Sequence, residues 1–258
     1  MSDVDGLLLD IDGVLAISWV ALPGAVETMA WLRREAVAFR LITNTTTHTR
    51  RELAATLGGA GFDVAPDEIV TAVTATAAHL QAHHPGARVF VLTDGEPGED
   101  LDGVRRSGAP EDADVIVLGG ACDDFTYPTM NRIFRRVMDG ATLVGMHRNL
   151  YWKTEDGWEL DGGAYIAGLE EASGATAAIC GKPAPAYFEA ALALLRVSAS
   201  RAAMVGDDIV NDVSGAQAVG LRGVLVRTGK FQEADLAKGS PDAVLGSLAD
   251  LPGWLRGE

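Results

Sequence analysis

The sequence predicts a doubly wound α/β fold, with a parallel-sheet core into which a smaller α/β domain is inserted. Short, continuous apolar runs alternate with helical patterns along most of the 258 residues, as is typical of strands buried on both faces of a parallel sheet. Polar groups follow these runs before residue 50 and again after residue 180. In the interval between, strands and helices still alternate, but the motifs of the flanking segments are absent. We therefore expect a core built from residues 1–80 and 178–258, and an inserted domain at residues 81–177.

The first predicted strand begins the stretch GLLLDIDGVL, Gly6–Leu15, and ends in two aspartates. Residues i and i+2 of a strand point the same way, which predicts that Asp10 and Asp12 place their carboxylates close together. Two buried carboxylates repel each other, and Mg²⁺, which prefers hard oxygen ligands, relieves that repulsion. Gly13 then permits a sharp turn close to a ligand. The alternative is a strand end with solvated turn aspartates, because Asp-Gly is a common turn dipeptide.

A second predicted strand, residues 38–42, leads into a run of hydroxyl side chains. Thr43 and Asn44 come at its carboxyl end, followed by Thr45–Thr47 and by a helix from about residue 49. Hydroxyls, backbone N–H groups and the positive end of a helix dipole all favour an anion at such a place. A threonine-rich helix N-cap without a ligand is the alternative.

Two later strands also end in charged residues. The first, residues 177–180, leads to Lys182, a cation that suits paired carboxylates or a phosphate, with a surface loop lysine as the alternative. The second leads to Asp207 and Asp208, with Asp212 further on, and an aspartate N-cap beside a solvated neighbour is the alternative there. Ligands of open parallel sheets bind outside the carboxyl ends of the strands. Together these groups form the set that phosphoryl transfer needs: metal ligands, a carboxylate nucleophile, a polar cradle and a fixed cation.

Composition restricts the partners and the compartment. The formal net charge of −15 and the pI of about 4.7 argue against non-specific binding to nucleic acid or to an anionic membrane. Cys122 and Cys180 stand in no metal-ligand spacing, which favours reduced thiols over a disulfide. Acids at Asp3 and Asp5 are atypical of a secretion signal, and the apolar stretch 6–24 is interrupted by two aspartates. We expect a cytoplasmic protein.

Two histidines stand one helical turn apart in the Ala-rich helix predicted over Thr71–His84. His79 and His83 have the i, i+4 spacing that binds metal ions. No acidic residue completes a zinc-protease pattern, so a solvated linker helix explains them better.

The order of motifs DIDGVL, LITNTT, GKPAP and VGDDIVND resembles the four motifs of the haloacid dehalogenase-like phosphohydrolases. The resemblance covers nearly the whole chain and implies a Rossmann-like core. The insertion lies between the second and third motifs, which is similar to the class IIA capped members. TNTT at Thr43–Thr46, Phe125–Tyr127 and Gly163–Tyr165 resemble the subgroup of phospholysine phosphohistidine inorganic pyrophosphate phosphatase and its hydrolase-domain-containing relatives.

The resemblance implies roles for the residues that match the motifs. Asp10 is implied as the nucleophile that forms an aspartyl-phosphate, and Asp12 as the general acid and base. Mg²⁺ is implied to bind the Asp10 carboxylate, the Asp12 backbone carbonyl and the Asp207 carboxylate. Lys182 is implied to bridge nucleophile and phosphate. Members that transport ions or remove halide usually carry another residue at the position of Asp12, which therefore favours ester hydrolysis.

The same resemblance implies that Thr43 and Asn44, with Thr45 beside them, bind the phosphoryl oxygens. Asp212 is implied to orient Lys182 or a metal-bound water, and Asp208 competes with it for that role. Both alternatives stay open at this stage.

Substrate choice is expected to lie in the inserted cap domain. The candidates are His147, Arg148 and Asn149, in the loop after a strand predicted at Thr142, with Arg148 suited to a second anionic group. A surface loop without a ligand is the alternative. The resemblance does not identify the substrate, and a homodimer through the cap is a further expectation from it.

These observations favour a Mg²⁺-dependent phosphatase acting on small phosphorylated compounds. One alternative is a non-catalytic phosphate-binding or receiver-like module, which shares an acidic strand end, a threonine and a lysine. The large insertion and Asp12 argue against it. The other is a phosphomutase or phosphotransferase, which passes the phosphoryl group to an acceptor other than water.

Overall fold

The computed structural model describes residues 3–154 and 157–258. The strands are β1 (Gly6–Asp10), β2 (Ala16–Ile17), β3 (Val20–Ala21), β4 (Ala38–Thr43), β5 (Ile69–Thr71), β6 (Val89–Leu92), β7 (Val115–Leu118), β8 (Thr142–Gly145), β9 (Tyr151–Thr154), β10 (Gly157–Leu160), β11 (Ala178–Ile179), β12 (Ala202–Gly206), β13 (Arg222–Val226) and β14 (Ala243–Leu245). The α-helices are α1 (Ala25–Arg34), α2 (Arg50–Gly59), α3 (Ala72–His83), α4 (Tyr127–Met138), α5 (Gly162–Ser173), α6 (Pro185–Leu195), α7 (Gly215–Gln217) and α8 (Leu251–Arg256). A π-helix, Ile209–Ser214, precedes α7.

The chain divides into two compact units whose boundaries differ from those expected. The first contains residues up to Thr43, Arg50–Val70 and Lys182–Glu258, and the second contains Asn44–Thr49 and Thr71–Gly181. Helix α3 therefore belongs wholly to the second unit, although the predicted boundary at residue 80 cut through it. Hydrophobic periodicity identifies a helix but does not tell which core receives its apolar face.

The first unit contains a six-stranded sheet in the order β14-β13-β12-β1-β4-β5. The ladders from β14 to β4 are parallel, with Leu9 of β1 opposite Val205 of β12 on one side and Leu41 of β4 on the other. The chain leaves β1 toward β4 on one side and later returns through β12 on the other. This is the switch point at which doubly wound sheets bind ligands.

Apolar side chains on one face of this sheet pack against α1, α2 and α8. Leu9 and Leu41 lie on that face and contact helix residues that include Leu32, Leu57 and Leu251, all buried. Each such leucine contributes about 1.5–3 kcal/mol when it is fully buried. The layer keeps the central strands fixed, so the side chains at their ends are held by a rigid frame.

The second unit contains a smaller parallel sheet in the order β11-β8-β7-β6. Ile133 of α4 and Ile166 of α5 are fully buried in its core. Strand β11, predicted as a strand of the main sheet, pairs with β8 in this smaller one, which corrects that prediction. A short apolar run predicts a strand but not its neighbours, because pairing partners lie far away in sequence.

Strands β9 and β10 form an antiparallel hairpin within the second unit, where Tyr151 and Trp158 meet edge to face at 5.4 Å. Two parallel sheets with flanking helices confirm the predicted α/β class. Within residues 3–154 and 157–258, no helix combines the length and apolarity that crossing a membrane requires.

Candidate active site

The carboxyl ends of three adjacent strands supply the first polar groups of the site. Asp10 is the last residue of β1, Thr43 is the last residue of β4, and Asp207 follows the last residue of β12. All three are buried, with at most 5% of any of them exposed. The backbone N–H of Ile11 donates to Asp10 Oδ1 at 2.9 Å, so the turn after β1 orients the carboxylate.

Asp10 is part of a cluster of three buried aspartates. Asp10, Asp207 and Asp212 each offer an oxygen within 4.8 Å of the others. Burial, followed by the charge of Asp10, raises the pKa of Asp207 to about 8, and burial raises the pKa of Asp212 to about 6. Three carboxylates in a low-dielectric site repel one another, so the cluster favours either protons or cations.

One oxygen of the cluster shows that a metal ion fits there. Asp207 Oδ1 is buried and accepts no hydrogen bond from any residue in the described part of the chain. An unsatisfied buried carboxylate oxygen carries a desolvation penalty that a ligand has to offset. Hard cations such as Mg²⁺ bind carboxylate oxygens, so the donor set of Asp10 and Asp207 suits that ion.

Lys182 is the fixed cation of the cluster. Its Nζ lies 2.7 Å from Asp10 Oδ1 and 2.7 Å from Asp212 Oδ1, and only 4% of the residue is exposed. Burial by itself would lower the pKa of Lys182, but the two carboxylates outweigh it and raise that pKa well above its ordinary value. The ammonium is therefore held in its charged form beside the carboxylate that the motifs imply as nucleophile.

The structure distinguishes Asp212 from Asp208, which the sequence left as competitors. Asp212 pairs with Lys182, whereas the Asp208 carboxylate caps the π-helix by accepting from the backbone N–H groups of Val210 and Asn211. Burial opposes ionisation of Asp208, but Lys230 and the cap hydrogen bonds outweigh it and lower its pKa to about 2. Asp208 therefore orders the loop after β12, and Asp212 lies against Lys182.

Lys230 is a second cation near the cluster, and it was not predicted from the sequence. Its Nζ lies 3.1 Å from Asp208 Oδ2 and 3.9 Å from Asp207 Oδ1, and its backbone N–H donates to Asp207 Oδ2 at 2.7 Å. The side chain is 61% exposed, so its desolvation is partial, and the carboxylates of Asp207 and Asp208 raise its pKa. In the sequence, the feature that could have indicated Lys230 is the Gly-Lys pair that follows the apolar run of β13 by a few residues.

Tyr187 is the other missed residue. Its hydroxyl accepts from the backbone N–H of Thr43 at 3.0 Å and lies 2.8 Å from the carbonyl oxygen of Val70. The side chain is fully buried, and burial raises the pKa of its phenol. Tyr187 thus joins the carboxyl ends of β4 and β5 and holds Thr43 in place. A tyrosine in the apolar first turns of α6 is indistinguishable in sequence from an ordinary core residue.

Comparison with known proteins assigns this arrangement to a family. A haloacid dehalogenase-like hydrolase model matches residues 7–105, and a HAD-hydrolase-like model matches residues 179–251. Human haloacid dehalogenase-like hydrolase domain-containing protein 2 is 36% identical over 239 residues, which cover 93% of this chain and 90% of that protein. The chain belongs to the haloacid dehalogenase-like hydrolase family.

Phosphatases are prominent among the similar proteins of this family. Phospholysine phosphohistidine inorganic pyrophosphate phosphatase of Rattus norvegicus is 37% identical, with 91% of this chain and 87% of that protein covered. The p-nitrophenyl phosphatase from Archaeoglobus fulgidus has 28% identity and a TM-score of 0.90, with 98% and 99% of the two chains covered. These similarities confirm the predicted class IIA capped subgroup and identify the chain as a family phosphatase.

The other residues implied as phosphate ligands stay predictions. Asn44 follows Thr43 directly, but residues 44–49 group with the second unit. Within that unit, Thr45 Oγ1 lies 3.1 Å from Thr47 Oγ1, and Thr46 Oγ1 donates to Asp94 Oδ1 at 2.5 Å. The segment is thus ordered by its own hydroxyls and by a cap-domain carboxylate.

Asp12 lies outside the strand that was expected to position it. Strand β1 ends at Asp10, and Asp12 is exposed whereas Asp10 is buried. Strand alternation therefore does not pair the two carboxylates, because the backbone already turns at Ile11. The role that the family motif implies for Asp12 remains a prediction.

The cap-domain residues that were predicted to select the substrate form hydrogen bonds and ion pairs within their own unit. The guanidinium of Arg148 forms a bidentate ion pair with Glu170, whose Oε1 also accepts from the backbone N–H of Ala177. His147 is buried, and its Nδ1 accepts from the backbone N–H of Asn149 at 3.3 Å. Burial lowers the pKa of His147. Glu170 therefore competes with a substrate anion for the guanidinium of Arg148.

Gly229 allows the chain to approach Asp207 closely, which leads to a testable prediction. Its φ is +64°, and a Cβ there would lie 2.0 Å from Asp207 Oδ2. We expect Gly229→Ala to lower the free energy of unfolding by at least ~1–2 kcal/mol, the cost of a left-handed φ alone, and to weaken metal binding. Chemical denaturation and metal titration measure the two effects.

The matched control is Gly58→Ala, in α2, where an added Cβ meets nothing within 4 Å. This change is expected to leave metal binding intact and to stabilise the protein by ~0.5–1 kcal/mol, because alanine favours a helix. Equal effects of Gly229→Ala and Gly58→Ala on stability and metal binding would contradict the need for glycine beside Asp207.

Proposed function

We propose that this chain is a Mg²⁺-dependent phosphatase that hydrolyses small phosphorylated compounds through an aspartyl-phosphate on Asp10. The observation that carries the proposal is the buried carboxylate of Asp10, held 2.7 Å from a buried ammonium and beside a second carboxylate with an unsatisfied oxygen. A carboxylate attacks a phosphate only when the charges are neutralised, and the site has the groups to do so.

The proposed reaction uses the chain's own residues in two steps. An Asp10 oxygen attacks phosphorus, the bond to the leaving oxygen breaks, and Asp12 donates a proton to that oxygen. Asp12 then takes a proton from water, whose oxygen attacks phosphorus and breaks the bond to Asp10, so that phosphate leaves and both aspartates are restored. Lys182 neutralises charge on Asp10 and on the phosphoryl oxygens throughout.

Mg²⁺ would be held by the carboxylates of Asp10 and Asp207 and by the backbone carbonyl of Asp12. When bound, it neutralises charge on the phosphoryl group and fixes its orientation. Asp212, already paired with Lys182, keeps that ammonium aimed at Asp10. Thr43 would bind a phosphoryl oxygen from the end of β4, with Asn44 and Thr45 as further proposed ligands.

The first experiment is phosphate release from a panel of compounds, with Mg²⁺ and with EDTA. The panel comprises p-nitrophenyl phosphate, pyrophosphate, a phosphoamidate, sugar phosphates and nucleotides. We expect metal-dependent multiple turnover on at least one of them. A rank order led by pyrophosphate or the phosphoamidate would place the chain with the rat relative in specificity.

Two alternatives make different predictions in the same assay. A receiver-like or phosphate-binding module would bind phosphate or become phosphorylated without multiple turnover. A phosphotransferase would release free phosphate only slowly and transfer it to an added sugar or sugar phosphate, which product analysis detects. Turnover that is unchanged in EDTA would contradict the metal dependence.

The metal affinity is expected to rise with pH. Burial and the charge of Asp10 raise the pKa of Asp207 to about 8, so below that pH a proton competes with Mg²⁺ for this carboxylate. In the absence of metal, the folded state retains this proton above pH ~4, where the unfolded state has lost it. The stability of the metal-free protein therefore falls as pH rises from ~4 to ~8.

We expect the increase in Tm caused by saturating Mg²⁺ to be larger at about pH 8.5 than at about pH 6. Asp207→Asn serves as the control, since it removes both the proton and the ligand, and its Mg²⁺ effect should be small at both pH values. An increase that is independent of pH in the wild type would contradict this prediction.

A further inference from the structure

Three of the five histidines of this chain gather at the carboxyl end of α3, within the second unit. His79 and His83 lie one turn apart on the same side of the helix, with ring centroids 4.5 Å apart and planes inclined by 38°. His84, the first residue after the helix, has its ring centroid 5.8 Å from that of His79. None of the three belongs to the proposed phosphatase site.

The ring of His79 has an unsatisfied nitrogen. Its Nε2 is buried and has no hydrogen-bond partner in the described part of the chain. Burial, and then the neighbouring rings of His83 and His84, lower the pKa of His79. The neutral imidazole is the form that binds metal ions, and an unpaired buried nitrogen is costly without a partner.

The position of the histidines at the end of α3 favours a cation. The carboxyl end of a helix carries partial negative charge, and His83 is in the last turn of the 12-residue α3. A cavity of about 230 Å³ lies beside His84 and is also lined by Gln81 and Gly86, but neither His79 nor His83 lines it. Arg105 lines the same cavity and is the one charge there that opposes a cation.

We propose that His79 and His83 bind a divalent cation of the zinc type through their imidazole nitrogens. Imidazole nitrogens suit Zn²⁺, Ni²⁺ and Co²⁺, whereas Mg²⁺ prefers oxygen, so this site and the aspartate cluster select different ions. The sequence alone favoured a solvated helix, because no acidic ligand follows the histidines. The unsatisfied nitrogen and the close ring pair are what change that interpretation.

The test measures Zn²⁺ binding by equilibrium dialysis in excess Mg²⁺, which occupies the aspartate cluster. We compare the wild type with His79→Gln, His83→Gln and the control His48→Gln, which makes the same change outside the cluster. We expect each cluster variant to bind at least ~10-fold more weakly, a difference of about 1.4 kcal/mol, and the control to match the wild type. Equal binding by all four proteins, or no binding by the wild type, would overturn the proposal.

A second measurement locates the ion and guards against misfolded variants. Paramagnetic Co²⁺ added to the wild type is expected to broaden the backbone amide resonances of residues 79–84. Broadening confined to residues near Asp10 and Asp207 would place the ion in the aspartate cluster and overturn the proposal. The Tm of each metal-free variant, expected within a few degrees of the wild type, shows that loss of binding is not loss of fold.

Discussion

Replacing Asp10 with asparagine is expected to lower turnover by at least ~10⁴-fold, because an amide oxygen is a far weaker nucleophile toward phosphorus than a carboxylate. The loss should appear in kcat and persist at saturating substrate, since the change removes a reacting atom. Phosphate release with saturating Mg²⁺ measures it. In the wild type, acid quenching during turnover should trap phosphate covalently bound to the peptide that contains Asp10, and in the variant it should not.

The fold should survive this substitution, because Lys182 keeps Asp212 as a partner 2.7 Å away and one of three mutually repelling charges is removed. Circular dichroism and thermal unfolding serve as the control. Residual activity above one hundredth of wild type in a folded Asp10→Asn protein would rule out Asp10 as nucleophile. Loss of activity together with retained phosphate binding would exclude a defect in substrate binding alone.

Replacing Lys182 with methionine is expected to have the largest effect on stability. The substitution leaves Asp10 and Asp212 buried without the ammonium that each contacts at 2.7 Å. Breaking a buried ion pair by removing one partner typically lowers the free energy of unfolding by ~3–5 kcal/mol. Turnover should fall sharply as well, since the buried ammonium no longer neutralises charge on the nucleophile and on the phosphoryl oxygens. Denaturant unfolding of the metal-free protein at about pH 8 measures the stability change.

The stability lost in Lys182→Met should become smaller as pH falls. Without Lys182, the buried carboxylates have higher pKa values in the folded state than in the unfolded state, so the deficit should shrink as pH falls and they take up protons. The double variant Lys182→Met/Asp212→Asn should recover part of the lost stability, because it removes a charge that the single variant leaves unpaired.

Lys230→Met is the matched control for this experiment. Lys230 is also near the aspartates, but 61% of its side chain is exposed, and ion pairs of exposed side chains contribute at most ~1 kcal/mol. A Lys182→Met protein that unfolds at the same denaturant concentration as Lys230→Met would contradict the role assigned to the buried ammonium.

Local features of the sequence were sufficient for the fold class and for part of the site. The apolar runs that became β1 and β12 are continuous, that of β4 is interrupted by Arg40, and polar residues stand at the end of each. That pattern is local, because a strand buried on both faces is apolar over most of its length and its polar residues concentrate where it reaches the edge of the sheet. Asp10, Thr43 and Asp207 were therefore identified from their position after a strand, without knowledge of the strand order.

The features that the sequence left open depend on contacts between distant segments. Strand β11 looked like a core strand but pairs with β8, and nothing in residues 177–180 specifies that partner. Asp208 and Asp212 follow the same strand, and only the folded π-helix directs one toward its own N-terminus and the other toward Lys182.

The contacts of Tyr187 and Lys230 were decided by the tertiary structure alone. Tyr187 reaches Thr43 across 144 residues of chain, and the backbone of Lys230 reaches Asp207 across 23. Their residue types are as common in ordinary cores and loops as in active sites, so no local pattern marks them. The sequence by itself determined which chemical groups this protein brings to the sheet edge. Only the packing of distant elements decided which of those groups face one another, because side-chain direction and distance are properties of the folded chain.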